Sequence, residues 1–200
     1  MQQSSPGPRD RLVYTAVQHL RQHGVTATGL RGLVADAAAP WGSLRHYFPG
    51  GKDQLVTEAL GWAGSFAASR VEAYLQSAAS PTPSGLFADM VQAWVRDLEK
   101  RSYARGCPVA AAVVDSADTS ETIRCAAAQA LEQWRAPLVR GLLTVGVPAD
   151  RATDLATLML CSLEGAVIMA RAARTVEPLH TVQRTLGPVL DAEPRSPAGS

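Results

Sequence analysis

The sequence predicts an all-α protein of about nine helices. Apolar residues recur every three or four positions along most of its 200 residues, which is the spacing of one helical face. The alternation of apolar and polar residues that marks a half-buried strand does not persist over any useful length. Apolar residues make up 46% of the chain and charged residues 18%, so the protein is globular and can bury a core without disulfides.

The first three predicted helices are short and close together in sequence. In helix 1, Leu12, Ala16 and Leu20 share one face, and Gly24 can end the helix. Either Thr26 or Thr28 can cap helix 2. The predicted ranges are Arg9–His23, Leu30–Ala37 and Trp41–Phe48.

Glycine and proline clusters divide the rest of the chain into six further helices. Their predicted ranges are Lys52–Gln76, Gly85–Lys100, a helix that opens at Pro108, Thr119–Thr144 with a kink near Pro137, Asp150–Arg174 and Pro178–Leu190. The domain division that follows is a helix-turn-helix domain over residues 1–51, a larger helical domain over 52–190 and a disordered tail over 191–200.

Residues 29–48 have the size of a helix-turn-helix motif, with a three-residue turn between two short helices. Leu44 and Phe48, four positions apart, can anchor the second helix inward. Its opposite face offers hydrogen-bond donors and flat rings that suit base edges and phosphates. The residues predicted to contact DNA are Thr28, Arg31, Trp41, Ser43, Arg45, His46, Tyr47 and Lys52. Residues 1–55 carry six basic and three acidic side chains, a balance that favours an anionic partner for this part alone.

Other function classes find no support in the sequence. The three cysteines include no Cys-x-x-Cys pair, which argues against a zinc site or a disulfide framework. No His-Glu-x-x-His, Gly-x-Ser-x-Gly or phosphate-loop pattern occurs, so we expect no catalytic residue, metal or cofactor. Residues 1–8 lack the apolar segment of a secretion signal, and we expect a cytoplasmic protein without a membrane partner.

The stretch Gly42–Leu55, GSLRHYFPGGKDQL, resembles the start of the TetR/AcrR family of transcriptional regulators. Two further stretches, GCPVA from Gly106 and LEGA from Leu163, resemble the LmrA/YxaF type of C-terminal domain. Three residues depart from the family pattern. Arg45 stands where a Tyr is usual, Ala38 where the turn usually has Gly, and Pro40 where a Ser is usual.

The resemblance implies a homodimer that places two recognition helices in successive major grooves of a palindromic operator, about 34–36 Å apart. It also implies dimerisation through helices 8 and 9, and a pocket for a small effector in the C-terminal domain. The expected function is that of a repressor released by a small hydrophobic ligand. The residues predicted to line the pocket are Trp62, Phe66, Met90, Trp94, Trp134, Met159 and Leu163.

Several alternatives remain open from the sequence. Each predicted pocket residue could be an ordinary core residue. Glu164, inside the apolar run of helix 8, could pair with an Arg at the dimer seam or face the ligand. The whole chain could be a helical small-molecule-binding protein or an enzyme with a non-functional DNA-binding head, or an architectural DNA binder. The first two would form no sequence-specific DNA complex, and the third would bind DNA without sequence preference.

Overall fold

The computed structural model describes residues 7–192, and over these residues it contains nine α-helices and no strand. The predicted all-α class is therefore confirmed. The helices are α1 Pro8–His23, α2 Leu30–Asp36, α3 Trp41–Tyr47, α4 Gly51–Ser77, α5 Pro83–Lys100, α6 Pro108–Ser116, α7 Glu121–Thr144, α8 Ala149–Ala173 and α9 Glu177–Asp191.

The helix ends differ from the predicted ranges by only a few residues. Helix α5 begins two residues before the predicted start, because Thr82 caps it with a hydroxyl that accepts the Gly85 N–H at 3.0 Å and Pro83 fits the first turn. The predicted threonine cap of α2 is wrong, because Gly29 occupies that position without a side-chain cap. Asp191, predicted to begin the tail, is the last residue of α9, and residues 193–200 lie outside the described part of the chain.

The described residues form two compact units that do not follow the predicted boundary at residue 51. The first unit runs to Ser65 and includes Cys107–Leu131, and the second comprises Phe66–Gly106 and continues from Glu132. Helix α6 therefore belongs with the N-terminal helices, where it packs against α1. Their apolar sides are buried: Leu12, Val13, Ala16, Val17 and Leu20 on α1, and Val109 and Ala112 on α6.

The second unit has its own core, in which α5 packs against α8 and α9, and α8 packs against α9. Phe87, Leu98 and Leu163 are fully buried there. One side of α8 faces this core, whereas Leu158 and Ile168 are exposed on its other side. Among the described residues, α8 is the one helix long and apolar enough to cross a membrane by length and composition, and its buried side is that of a core helix.

Candidate nucleic-acid interface

The α2–turn–α3 segment is anchored from below by apolar side chains. Leu33 and Val34 of α2, Leu44 of α3 and Phe48 after it are all buried. This burial fixes which side of α3 points outward. The predicted inward role of Leu44 and Phe48 is confirmed.

The turn between α2 and α3 is held by a side chain of α1. Arg11 donates from Nε to the Ala37 carbonyl oxygen at 3.1 Å and from Nη2 to the Ala38 carbonyl oxygen at 3.2 Å. Ala38 has a φ of +48°, in the left-handed region that an L-residue with a Cβ adopts only at a cost. The turn thus keeps the conformation that Gly would adopt freely, although its residue is Ala.

Ala38→Gly is expected to raise the free energy of unfolding by about 0.5–1 kcal/mol, because Gly removes the Cβ penalty but loses more entropy on folding. For a chain of this size, 1 kcal/mol corresponds to a rise in melting temperature of about 2–4 °C. Calorimetry on both proteins measures it. Ala35→Gly, an exposed helical position in α2, is the matched control and should lower stability instead. A loss of stability in both variants would contradict the strain at Ala38.

Helix α3 presents polar and aromatic side chains on its outward face. The Trp41 side chain is 56% exposed, and Arg45 and His46 are exposed in the same short helix. Ser43 and Tyr47 are half-buried. Five of the eight predicted DNA-contacting residues thus lie on one seven-residue helix.

The remaining three predicted DNA-contacting residues lie outside α3. Arg31 is exposed on α2. Thr28 is only 2% exposed, and its hydroxyl donates to the Gly24 carbonyl oxygen at 2.5 Å. A direct DNA contact by Thr28 would require that internal hydrogen bond to break.

Lys52 is the second residue of α4 and is half-buried. Its Nζ donates to the carbonyl oxygen of Thr26 at 3.3 Å. An ammonium has three protons, so donors remain for an anion. The positive end of the α4 dipole adds to the field at this point. Lys52 thus combines a fixed charge and a helix N-terminus in a position suited to a phosphate.

Two residues that sequence reasoning missed support this surface. Arg11 holds the α2–α3 turn, as described above. Asp115 at the end of α6 accepts the backbone N–H of Thr26 at 2.5 Å. That hydrogen bond, followed by further bonds to Thr26 and Val25 and by the charge of Lys52, lowers the pKa of Asp115 despite partial desolvation. No sequence signal could have found this contact, since Thr26 and Asp115 are 89 positions apart.

The structure brings five of the predicted pocket residues together in the core of the second unit. Four of them are buried and Trp94 is half-buried against them; the buried ones are Met90, Trp134, Met159 and Leu163. The Nε1 of Trp134 is buried with no hydrogen-bond partner. Trp62 lies instead in the first unit, edge-on to Tyr14 at 5.6 Å between ring centroids. Phe66 is 54% exposed on α4.

The three cysteines occupy different environments. Cys107 is buried and caps α6, its sulfur accepting the Ala110 N–H at 3.5 Å. Cys125 donates its thiol proton to Glu121 at 3.2 Å, which raises the pKa of that thiol. Cys161 is exposed on α8. Among the described residues no group of three or more His, Cys, Asp or Glu side chains is arranged to hold a metal.

Comparisons with known proteins agree with these features. The pattern of the LmrA/YxaF-like transcriptional regulator C-terminal domain matches residues 83–185. An HTH-type transcriptional regulator of Mycobacterium tuberculosis H37Rv is 34% identical over 194 residues, covering 94% of this chain and 96% of that protein. The HTH-type transcriptional regulator LmrA of Bacillus subtilis is 25% identical over 186 residues, covering 91% and 96%.

A solved structure has the same fold. The TetR transcriptional regulator from Legionella pneumophila superposes with a TM-score of 0.80 at 17% identity, covering 94% of this chain and all of that one. The outward α3 face, the matched C-terminal pattern and the full-length relatives converge on one assignment. The chain belongs to the TetR/AcrR family of DNA-binding helix-turn-helix transcriptional regulators, with a C-terminal domain of the LmrA/YxaF type.

Proposed function

We propose that the protein is a homodimeric repressor that binds a palindromic operator in the cytoplasm and is released by a small hydrophobic ligand. The observation that carries the DNA-binding part is the outward face of α3, where Trp41, Arg45 and His46 are exposed on a helix anchored from below. No catalytic residue is assigned, because the full-length relatives are transcriptional regulators.

The DNA-facing residues divide by the chemistry they offer. Trp41 and Ser43, in the first turn of α3, are placed for base edges, since recognition helices read bases mainly with their N-terminal residues. Arg31, Arg45 and Lys52 supply fixed charges for phosphates. His46 and Tyr47 pack edge-on at 4.6 Å between ring centroids, which orients both rings. Thr28 acts through the turn it closes rather than through a DNA contact.

The dimer contact that we propose lies on the exposed side of α8 and α9. Large apolar side chains there have no cover within the protomer: Leu158, Ile168 and Met169 on α8 and Val189 on α9. Gly165 is exposed between them, and a Cβ at this position would meet nothing within 4 Å. A second copy of the chain is the occupant that the resemblance implies, and a small residue at the centre lets two helices approach closely.

Cys161 lies on the same side of α8 and reports on that contact. At micromolar protein concentration its alkylation by iodoacetamide is expected to be about tenfold slower than that of an unstructured thiol, since exposure in the protomer would be lost in the dimer. Mass spectrometry of the labelled peptides measures it separately from Cys107 and Cys125. If Cys161 reacts as fast as an unstructured thiol while the protein is dimeric, the seam lies elsewhere.

The ligand site that we propose lies in the core of the second unit. Met90, Met159 and Trp134 supply flexible and aromatic apolar surface. The unpartnered Nε1 of Trp134 could donate to an acceptor on an amphipathic ligand. For release, the ligand must prefer the form that binds DNA poorly. A hundredfold preference is a coupling of about 2.7 kcal/mol, and DNA then weakens ligand binding by the same factor.

Selection of duplexes from a random pool by the purified protein tests the proposed function. The expected result is one palindromic sequence, bound about a thousandfold more tightly than random DNA. Enrichment of no sequence would overturn the repressor and leave an architectural binder or a ligand-binding protein with a non-functional head. An apolar compound library then tests release. A compound that raises the melting temperature but leaves operator affinity unchanged is excluded as the inducer.

A further inference from the structure

Helix α6 contacts the DNA-binding head through one carboxylate. Asp115 is half-buried near the C-terminal end of α6, and its Oδ2 accepts the Thr26 N–H at 2.5 Å. Thr26 lies in the turn between α1 and α2. Gly24, in the same turn, has a φ of +75°, and a Cβ there would come within 3.0 Å of Asp115 Oδ2. The carboxylate therefore lies directly on the turn from which the helix-turn-helix begins.

Both ends of the Thr26 residue are used. Its N–H is held by Asp115, and its carbonyl oxygen accepts from the Nζ of Lys52 at 3.3 Å. Two residues later, the Thr28 hydroxyl closes the turn onto the Gly24 carbonyl oxygen. A change in the Thr26 backbone would therefore reach Lys52, a residue to which the proposed function gives a phosphate.

We propose that Asp115 is a positioning residue for DNA binding, which holds the Thr26 backbone and through it the direction of the Lys52 ammonium. This proposal rests on the proposed operator binding. It predicts that the hydrogen-bonding capacity of residue 115 matters more than its charge. A carboxylate near a DNA-binding surface repels phosphates, so a purely electrostatic role would give the opposite direction of effect.

Operator affinity of four full-length proteins tests this. Asp115→Ala is expected to weaken operator binding about tenfold and to lower the salt slope by about one phosphate contact. Asp115→Asn keeps an oxygen that can accept the Thr26 N–H and is expected to stay within about threefold of the unmodified protein. Asp118→Ala, which removes a charge from an exposed position just after α6, is the matched control and should leave affinity within about threefold.

A double-mutant cycle separates positioning through Lys52 from general damage. In a Lys52→Ala background, Asp115→Ala should cost little further affinity, because the group that it positions is gone. Additive losses would overturn the route through Lys52. Equal or tighter operator binding by Asp115→Ala would overturn the positioning role, as would an Asp115→Asn variant as weak as the Ala variant.

Amide exchange in the DNA-free protein keeps this test separate from operator binding. The Thr26 N–H is expected to exchange about tenfold faster in Asp115→Ala than in Asp115→Asn, since only the Ala variant lacks an acceptor. Equal exchange rates would overturn the proposal whatever the protein binds. If the Thr26 N–H behaves as expected but no operator is found, the proposed function fails and the structural role of Asp115 stands.

Discussion

Gly165→Arg is expected to turn the dimer into a monomer and to weaken operator binding by about a hundredfold or more, because it buries an unpaired charge at the proposed seam. Two-fold symmetry places the substitution in the interface twice. Within the protomer the change is mild, since a Cβ at this position meets nothing within 4 Å and Arg is a better helix former than Gly. Sedimentation should give the chain mass of 21.1 kDa in place of about twice that value.

Ala128→Arg is the matched control for this prediction. It places the same side chain on an exposed position of α7 in the first unit, away from the apolar side of α8 and α9. The control should remain dimeric and keep its operator affinity. A dimeric Gly165→Arg variant would show that α8 does not form the seam, and a monomer that still binds one palindrome tightly would remove the dimer from the DNA-binding mechanism.

Most of the fold could be predicted because its signals are local. The end of α1 at Gly24 is an example, since a φ of +75° is available to Gly without strain. Pro108 likewise opens α6 at the first turn, where its missing N–H is not needed. The inward direction of Leu44 and Phe48 followed from their four-residue spacing. The outward α3 face, which carries most of the candidate site, followed from the same spacing.

The parts that could not be predicted depend on contacts between distant segments. Periodicity placed α6 with the C-terminal helices, but the surface that it buries lies against α1. Thr28 looked like a cap or a DNA contact, because a hydroxyl beside a helix start suits both roles. Its hydroxyl instead turns back to Gly24, four positions earlier. Trp62 and Phe66 share the aromatic character of the predicted pocket, yet Trp62 packs on Tyr14 in the first unit. Composition cannot distinguish these surroundings.

Arg45→Ala is the second large effect, and it asks what replaces the Tyr that the family usually has. Arg offers a planar fork of donors and a permanent charge, whereas Tyr offers one hydroxyl. Arg45 is exposed in the last turn of α3. Because base edges are read mainly from the N-terminal part of a recognition helix, we expect Arg45 to hold a backbone phosphate.

A phosphate contact predicts that Arg45→Ala weakens binding to operator and random duplex by the same factor, about tenfold, and makes the slope of log K against log salt shallower by about 0.9. A contact to guanine O6 and N7 would instead cost about 1–3 kcal/mol on the operator, relax the preference at one base pair per half-site and spare random DNA. Fluorescence anisotropy titrations at several salt concentrations, on operator and random duplexes, separate the two.

Lys52→Ala serves as the phosphate control in the same titrations, since its ammonium lies at the start of α4 rather than on α3. Both variants should then shift the salt slope in the same direction and leave sequence preference unchanged. A loss of preference at one base pair in Arg45→Ala alone would assign Arg45 to base reading. If Arg45→Ala changes neither operator affinity nor salt slope, the exposed side of α3 at Arg45 does not face DNA, and the orientation proposed for the recognition helix is wrong.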